Sequence, residues 1–226
     1  MTMTKEERVE AERIRLAGMF EDQDEIADRA QTVFGVDEAG RGPLCGPVVA
    51  GCCILDKGRE ILWLNDSKKI SEKKRELIYE DVVNNSLAYG IGTASPERID
   101  EINILNATYE AMRDAYENCR RMYAERGYNA DDADTVVLVD GNKTVPGILC
   151  RQTAVVKGDA KCPSISAASI LAKVTRDRIM IEYDKEHPEY GIAKHKGYGT
   201  KEHIEAIRKY GVTDIYRMSF LKNILK

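Results

Sequence analysis

Residues Thr32 to Leu55 read TVFGVDEAGRGPLCGPVVAGCCIL, and the fold turns on how this stretch divides. The runs "TVFGVDEAG" and "GPVVAGCCILD" are apolar and bounded by Gly and Pro, which predicts two strands joined by a glycine-rich turn. Asp37 and Glu38 close the first strand. Two adjacent carboxylates at a strand end are costly to pack, because each raises the cost of ionising the other.

Working outward, "SLAYGIGTAS" adds a third strand and completes a meander. "SEKKRELIYEDVVNN" predicts a helix with Ser71 as its N-cap. Ser95-Pro96 opens a longer one, in which Ile102, Leu105, Tyr109, Met112, Tyr116, Cys119 and Tyr123 recur at steps of three and four and form one apolar stripe. Gly127 is placed to end it. "DTVVLVDG" is a strand buried on both faces, and "TAVVKGDA" is a short strand ending in an acid. "SISAASILAKVTRDRIMIEYDKEH" is a helix whose small residues let it lie close to a sheet. From about His187 the chain is helical with loops. Three strands, then alternating helices and strands, then helices, define an α/β mixed sheet covered by helices.

The 226 residues fit one large domain, and 43% hydrophobic with 32% charged residues is ordinary for a globular protein. The apolar runs are too short to cross a bilayer. "MTMTKEERVEAERIRL" lacks an apolar signal core and reads as a short amphipathic helix of a cytoplasmic protein. Six cysteines without C-x-x-C spacing predict reduced, packed thiols rather than a zinc or redox site. The net charge of −4 is no global sign of a nucleic-acid binder, yet it can conceal a local basic surface.

Asp37-Glu38, Asp140 in "VLVDGN" and Asp159 in "VVKGDA" each follow an apolar run. Any one alone is ordinary turn chemistry. Three such strand ends crowd carboxylates where sites form in open α/β sheets, and they repel unless a cation neutralises them. With no partnering His or Cys cluster the ligands are all oxygen, which suits Mg²⁺ or Mn²⁺. Neighbouring strand residues point to opposite faces. Either the strand has ended at Glu38, whose side chain then curls back, or the Glu38 carbonyl helps bind metal; the following glycines favour the first. Two ions about 4 Å apart would stabilise both the attacking and the leaving oxygen of a phosphoryl displacement. Spacing by itself reaches metal-dependent phosphoryl chemistry without naming a substrate.

"GVDEAGRGPLCGPVVA" resembles the N-terminal motif of the ribonuclease HII family, the type 2 ribonucleases H. The resemblance continues through "NDSKKISEKKRELI", "INILNATYEAM", "VLVDGN", "VVKGDAKCPSISAASILAKVTRDR", "YGIAKHKGYGTKEH" and the terminal "MSF". It implies an RNase H-like fold: a mixed five-stranded sheet flanked by helices, with a helical extension at residues 1–30, a catalytic domain at 31–186 and a C-terminal helical segment at 187–226. It further implies endonucleolytic cleavage of RNA in RNA–DNA hybrids and at single ribonucleotides in duplex DNA, leaving 5′-phosphate and 3′-hydroxyl ends.

The family's four acidic positions fall on Asp37, Glu38, Asp140 and Asp159, which would hold two Mg²⁺ or Mn²⁺ ions. Gly40, Arg41 and Gly42 would bring backbone groups to the 2′-hydroxyl, the group that distinguishes RNA from DNA. Tyr198 would stack on the sugar beside the ribonucleotide. Lys68 would lie near the scissile phosphate, and Lys194, Lys196 and Lys201 would position phosphates. Asp177 is expected in an ion pair with a nearby Arg or Lys, and His187, His195 and His203 are expected to cap or pack.

The chain departs from the pattern at Tyr216, where histidine is common, which leaves the role of that side chain open. A short N-terminal region favours HII over HIII. "FLKNILK" lacks the glutamine and paired aromatics of a sliding-clamp peptide, and the expected state is a monomer. Rival readings are a DNA nuclease or junction resolvase of the same fold, a silent hybrid binder, and a small-molecule phosphotransferase. The last would need a phosphate-cradling G-x-x-x-x-G-K-[ST] loop, absent here.

Overall fold

The structure, a computed structural model, describes residues 3–225. Five strands form one sheet: β1 (Thr32–Ala39), β2 (Val48–Ile54), β3 (Ala88–Ala94), β4 (Thr135–Asp140) and β5 (Arg151–Val155). Their order is β3-β2-β1-β4-β5. The first three are an antiparallel meander, while β4 runs parallel to β1 and β5 parallel to β4. The helices are α1 (Lys5–Ile26), α2 (Glu72–Asn85), α3 (Pro96–Glu125), α4 (Pro163–Glu186), α5 (Ile192–His195), α6 (Lys201–Tyr210) and α7 (Met218–Leu221). Among the described residues no helix is long and apolar enough to cross a membrane.

Strand alternation sends side chains to two cores. Phe34, Val36, Val137 and Val139 meet α3 through Met112, Tyr116 and Cys119. Val33, Val136 and Leu138 meet Ile165 at the start of α4. The small residues of α4 do what their size predicts. A Cβ on Gly35 would stand 2.1 Å from the Ser164 carbonyl carbon, and one on Gly51 would stand 2.3 Å from the Ala168 oxygen. The helix backbone thus rests directly on the sheet.

Four expectations need correction. The long helix is two helices merged across a break at Asn103 (φ 68, ψ 162), whose side chain accepts from the Leu105 and Asn106 amides. Ile102, Leu105 and Tyr109 are therefore only half-buried, and Ala107, Ala111 and Ala115 take the seam. The N-terminal helix is not short: α1 has 22 residues and a Thr4–Glu7 capping box. It is packed onto the body, with Gln23 Oε1 accepting from the Ser164 amide and hydroxyl and Glu12 from the Trp63 amide. β5 stops at Val155, so Asp159 sits beyond the strand in a 3-10 turn, Gly158–Ala160. Finally, β1 runs on through Ala39, with Glu38 paired to Ala50. The strand does not end at Glu38.

The C-terminal segment builds its own core from Leu44, Cys45, Met180, Tyr190, Ile207, Ile215 and Tyr216. Backbone bonds stitch it to the β1–β2 connection: Leu44 N–H to Gly197 O (2.8 Å), Gly46 N–H to Ile215 O (2.8 Å) and Arg217 N–H to Leu44 O (3.0 Å). The six cysteines are free thiols, five of them buried.

Candidate active site

The parallel register pairs Val36 with Val139, so the next residues, Asp37 and Asp140, stand side by side at the ends of β1 and β4. Alternation aims both at the α4 face. After β5, Lys157 adopts a left-handed conformation (φ 58). The Gly158 amide then donates to Asp140 Oδ1 at 2.7 Å, and this turn delivers Asp159 beside Asp140. Asp140, Asp159, Asp66, Lys68 and Lys157 line one depression.

Glu38 points the other way, toward a depression walled by Thr108, Tyr109, Met112 and Asp140. Its carboxylate is held by Arg41 at 3.3 Å. Among the described residues no three acid, His or Cys side chains form a ready-made metal-ligand group.

The electrostatics carry a cost. Burial, then Glu38 and then Asp140, push the Asp37 carboxyl well above its ordinary range. Burial raises Glu38 against the pull of Arg41, and burial followed by Asp140 and Asp66 raises Asp159. A hard cation is the group that would relieve such a cluster, and the donors are all oxygen, so the residues fit Mg²⁺ or Mn²⁺.

A cleft of about 460 Å³ opens over Asp37 and Glu38, walled by Gly40, Arg41, Gly42, Lys68, Arg75, Lys173, Arg176 and Tyr198. Basic side chains outnumber acids among the residues that line it, although Arg41, Arg75 and Lys173 are each engaged by a carboxylate. Tyr198 is 47% exposed, and its ring would lie 3.5 Å from a Cβ on Gly42. Lys68 sits in a turn whose Ser67 and Ile70 carbonyls accept from Arg75. Arg75 in turn faces Asp177, which Lys173 engages at 2.7 Å, so Asp177 is in the ion pair expected of it. Lys196 is not a wall of this cleft: its ammonium lies 3.6 Å from Glu72. Lys201 is paired loosely with Glu205 in solvent.

The histidines pack. His203 is buried between the Tyr198 carbonyl (2.9 Å) and the Tyr216 hydroxyl (3.0 Å), with His195 stacked on it at 4.2 Å. Tyr216 thus supports the segment that carries Tyr198.

Sequence reasoning passed over Asp66, Arg75, Arg176 and Arg217. Arg176 and Arg217 are almost wholly buried; Arg217 has one sequence signal, an arginine set in apolar company in "IYRMSF", whereas Arg176 in "KVTRDR" has none.

Comparison with known proteins defines first a class. The chain aligns with ribonuclease H2 from Pyrococcus horikoshii at a TM-score of 0.65 and 27% identity, covering 86% of this chain and 97% of that one. It shares its fold with Bst-RNase HIII in complex with Mn²⁺ (TM-score 0.62, 14% identity, 88% of this chain and 70% of that one). This is the fold of the type 2 ribonucleases H.

A sequence model of the family described as ribonuclease HII matches residues 34–223. Ribonuclease HII of Clostridioides difficile (strain 630) is 52% identical over 219 residues, 96% of this chain and 80% of that protein. That of Francisella tularensis subsp. novicida is 52% identical over 188 residues, 83% of this chain and 95% of that protein. The chain belongs to the ribonuclease HII family. It is a ribonuclease H hydrolase, of a divalent-metal-dependent family that cleaves RNA in RNA–DNA hybrids endonucleolytically.

Proposed function

We propose that this chain cuts the RNA strand of RNA–DNA hybrids and also cuts 5′ of single ribonucleotides embedded in duplex DNA, using two metal ions. The observation that carries the reading is the alignment of Asp37 with Asp140 on one sheet face, beside Asp159 and under a cleft lined by Gly40–Gly42 and Tyr198.

Asp37, Asp140 and Asp159 would hold Mg²⁺ or Mn²⁺, joined by Glu38 through its backbone carbonyl, since its side chain faces away from Asp37. When bound, the ions would supply charge neutralisation at the phosphate and a lowered pKa for water. Water attacks phosphorus in line and loses a proton to solvent. The P–O3′ bond breaks and O3′ takes up a proton from solvent, leaving a 3′-hydroxyl on one fragment and a 5′-phosphate on the other. Arg41 and Lys68 counter the charge of the reacting phosphate. The Gly40-Arg41-Gly42 backbone reads the 2′-hydroxyl, because residues 40 and 42 bring no side chain between loop and ribose. Tyr198 packs on the neighbouring deoxyribose, where a further 2′-hydroxyl would clash.

In this reading residues 31–186 are the catalytic domain and 1–30 an N-terminal extension. Residues 187–226 complete the substrate groove, and the protein works as a monomer in the cytoplasm. The Archaeoglobus fulgidus relative was solved as a PCNA:RNase HII complex; we propose no sliding-clamp partner for this chain.

The test is one assay. A duplex with one ribonucleotide and a long hybrid are each incubated with Mg²⁺ and with Mn²⁺, with all-DNA and all-RNA duplexes alongside. Cleavage of the first two alone, with the single cut 5′ to the ribonucleotide, is expected. Cleavage of all-DNA duplex would replace this reading with that of a DNA nuclease.

A further inference from the structure

Behind the Gly40–Pro47 connection lie two guanidinium groups, neither bonded to a carboxylate. Arg217 Nη2 donates to Gly40 O at 2.7 Å, Nη1 to Arg41 O (3.2 Å) and Pro43 O (2.9 Å), and Nε to Gly46 O (2.8 Å). Arg176 donates to Pro47 O (3.1 Å), Cys45 O (3.2 Å) and Lys196 O (3.0 Å). With the Arg217 amide on Leu44 O, every carbonyl from Gly40 to Pro47 except that of Gly42 has a donor among the described residues. Gly40 (φ +97) lies so close to this frame that a Cβ would stand 2.1 Å from Arg176 Nε.

A trans peptide plane points its C=O and the following N–H in opposite directions. Drawing the Gly40 and Arg41 carbonyls inward onto Arg217 therefore turns the amides of Arg41 and Gly42 outward. Neither amide has an acceptor among the described residues, and both residues line the cleft. Two successive outward N–H groups form a concave donor pair for an electronegative oxygen. A cation bound to the carbonyl side polarises the same peptides and strengthens those donors.

We infer that Arg217 is a positioning residue for cleavage. Fully buried and outside the cleft wall, it aims the Arg41 and Gly42 amides at an oxygen of the substrate's sugar–phosphate backbone. The inference rests on the proposed function, in which Gly40–Gly42 meets the nucleic acid. Lysine cannot replace the fork, since a single ammonium cannot span Gly40, Arg41, Pro43 and Gly46 at once.

The first test needs no variant. Amide exchange in the free wild-type protein should find Leu44 and Gly46 protected and Arg41 and Gly42 fast, with the latter two becoming protected when an RNA–DNA hybrid is added in EDTA. Protection of Arg41 and Gly42 in the free protein overturns the inference. This readout does not depend on turnover, so it stands apart from any failure of the nuclease reading. The second test is kinetic. Arg217→Lys should lower kcat on the hybrid by roughly 100-fold, the size of effect that removal of one preorganised donor has elsewhere, with a much smaller change in KM. Arg217→Ala should regain turnover with added guanidinium but not with methylammonium. Wild-type kcat in Arg217→Lys overturns it as well; if neither variant folds, the exchange pattern decides.

Discussion

Acidification should destabilise this protein through one imidazole, and the geometry sets both the sign and the size. His203 is fully buried. The Tyr198 carbonyl can only accept, so Nδ1 carries the proton, and Nε2 keeps a lone pair that accepts from the Tyr216 hydroxyl. Burial is the main cause that pulls the imidazole from 6.5 down to about 4, and the adjacent His195 adds to it. The unfolded chain takes up a proton on this residue below about 6.5, whereas the native state resists until about 4. The stabilisation is therefore complete above about 6.5 and is lost as pH falls toward 4. The difference is worth up to about 3 kcal/mol, or roughly 6–12 °C in a domain of this size. The assay is the melting temperature at steps between pH 7.5 and 4, for wild type and His203→Gln. Carboxylates titrate in both proteins, so the two curves should converge by about this amount as pH falls. Parallel curves would refute the neutral, single-tautomer assignment.

Three further outcomes follow from the site and the packing. Asp37→Asn removes one of several repelling carboxylates, so it should abolish hybrid cleavage while leaving the melting temperature equal or higher; turnover in metal-replete buffer would remove Asp37 from the mechanism. Gly51→Ala sets a methyl against the Ala168 carbonyl of α4, and the helix backbone cannot yield as a side chain can. A loss at or above the usual overpacking range of about 1–3 kcal/mol should appear in denaturant melts, and an unchanged midpoint would mean that α4 does not rest on the sheet as described. Tyr198→Ala should impair cutting at isolated ribonucleotides more than cutting of long hybrids, and equal losses on both would end its junction-sensing role.

Much of this was legible in the linear chain because strands and acids announce themselves locally. The runs around Asp37 and Asp140 alternate toward two buried faces, and their apolar content and flanking turns mark strands whatever lies around them. The small residues of α4 foretold its close seat on the sheet. Asn103 was not legible. The apolar spacing passes unbroken across it, while the backbone breaks there, its side chain capping the second half of α3. Periodicity records which side chains are apolar and is blind to a single residue leaving helical φ and ψ.

The four acids illustrate the division most sharply. Residue type and position relative to apolar runs identified Asp37, Glu38, Asp140 and Asp159 as candidates. That Asp37 and Asp140 share a face follows from a parallel register between segments a hundred residues apart, and that Glu38 faces α3 follows from β1 continuing to Ala39. Arg176 and Arg217 lie further still from any local signal. A buried guanidinium needs acceptors for its donors, and for Arg176 and Arg217 these are mostly carbonyls of the β1–β2 connection, far away in the chain. Side-chain chemistry is written residue by residue, but the partners that give a buried charge its place come together only when the chain has closed on itself.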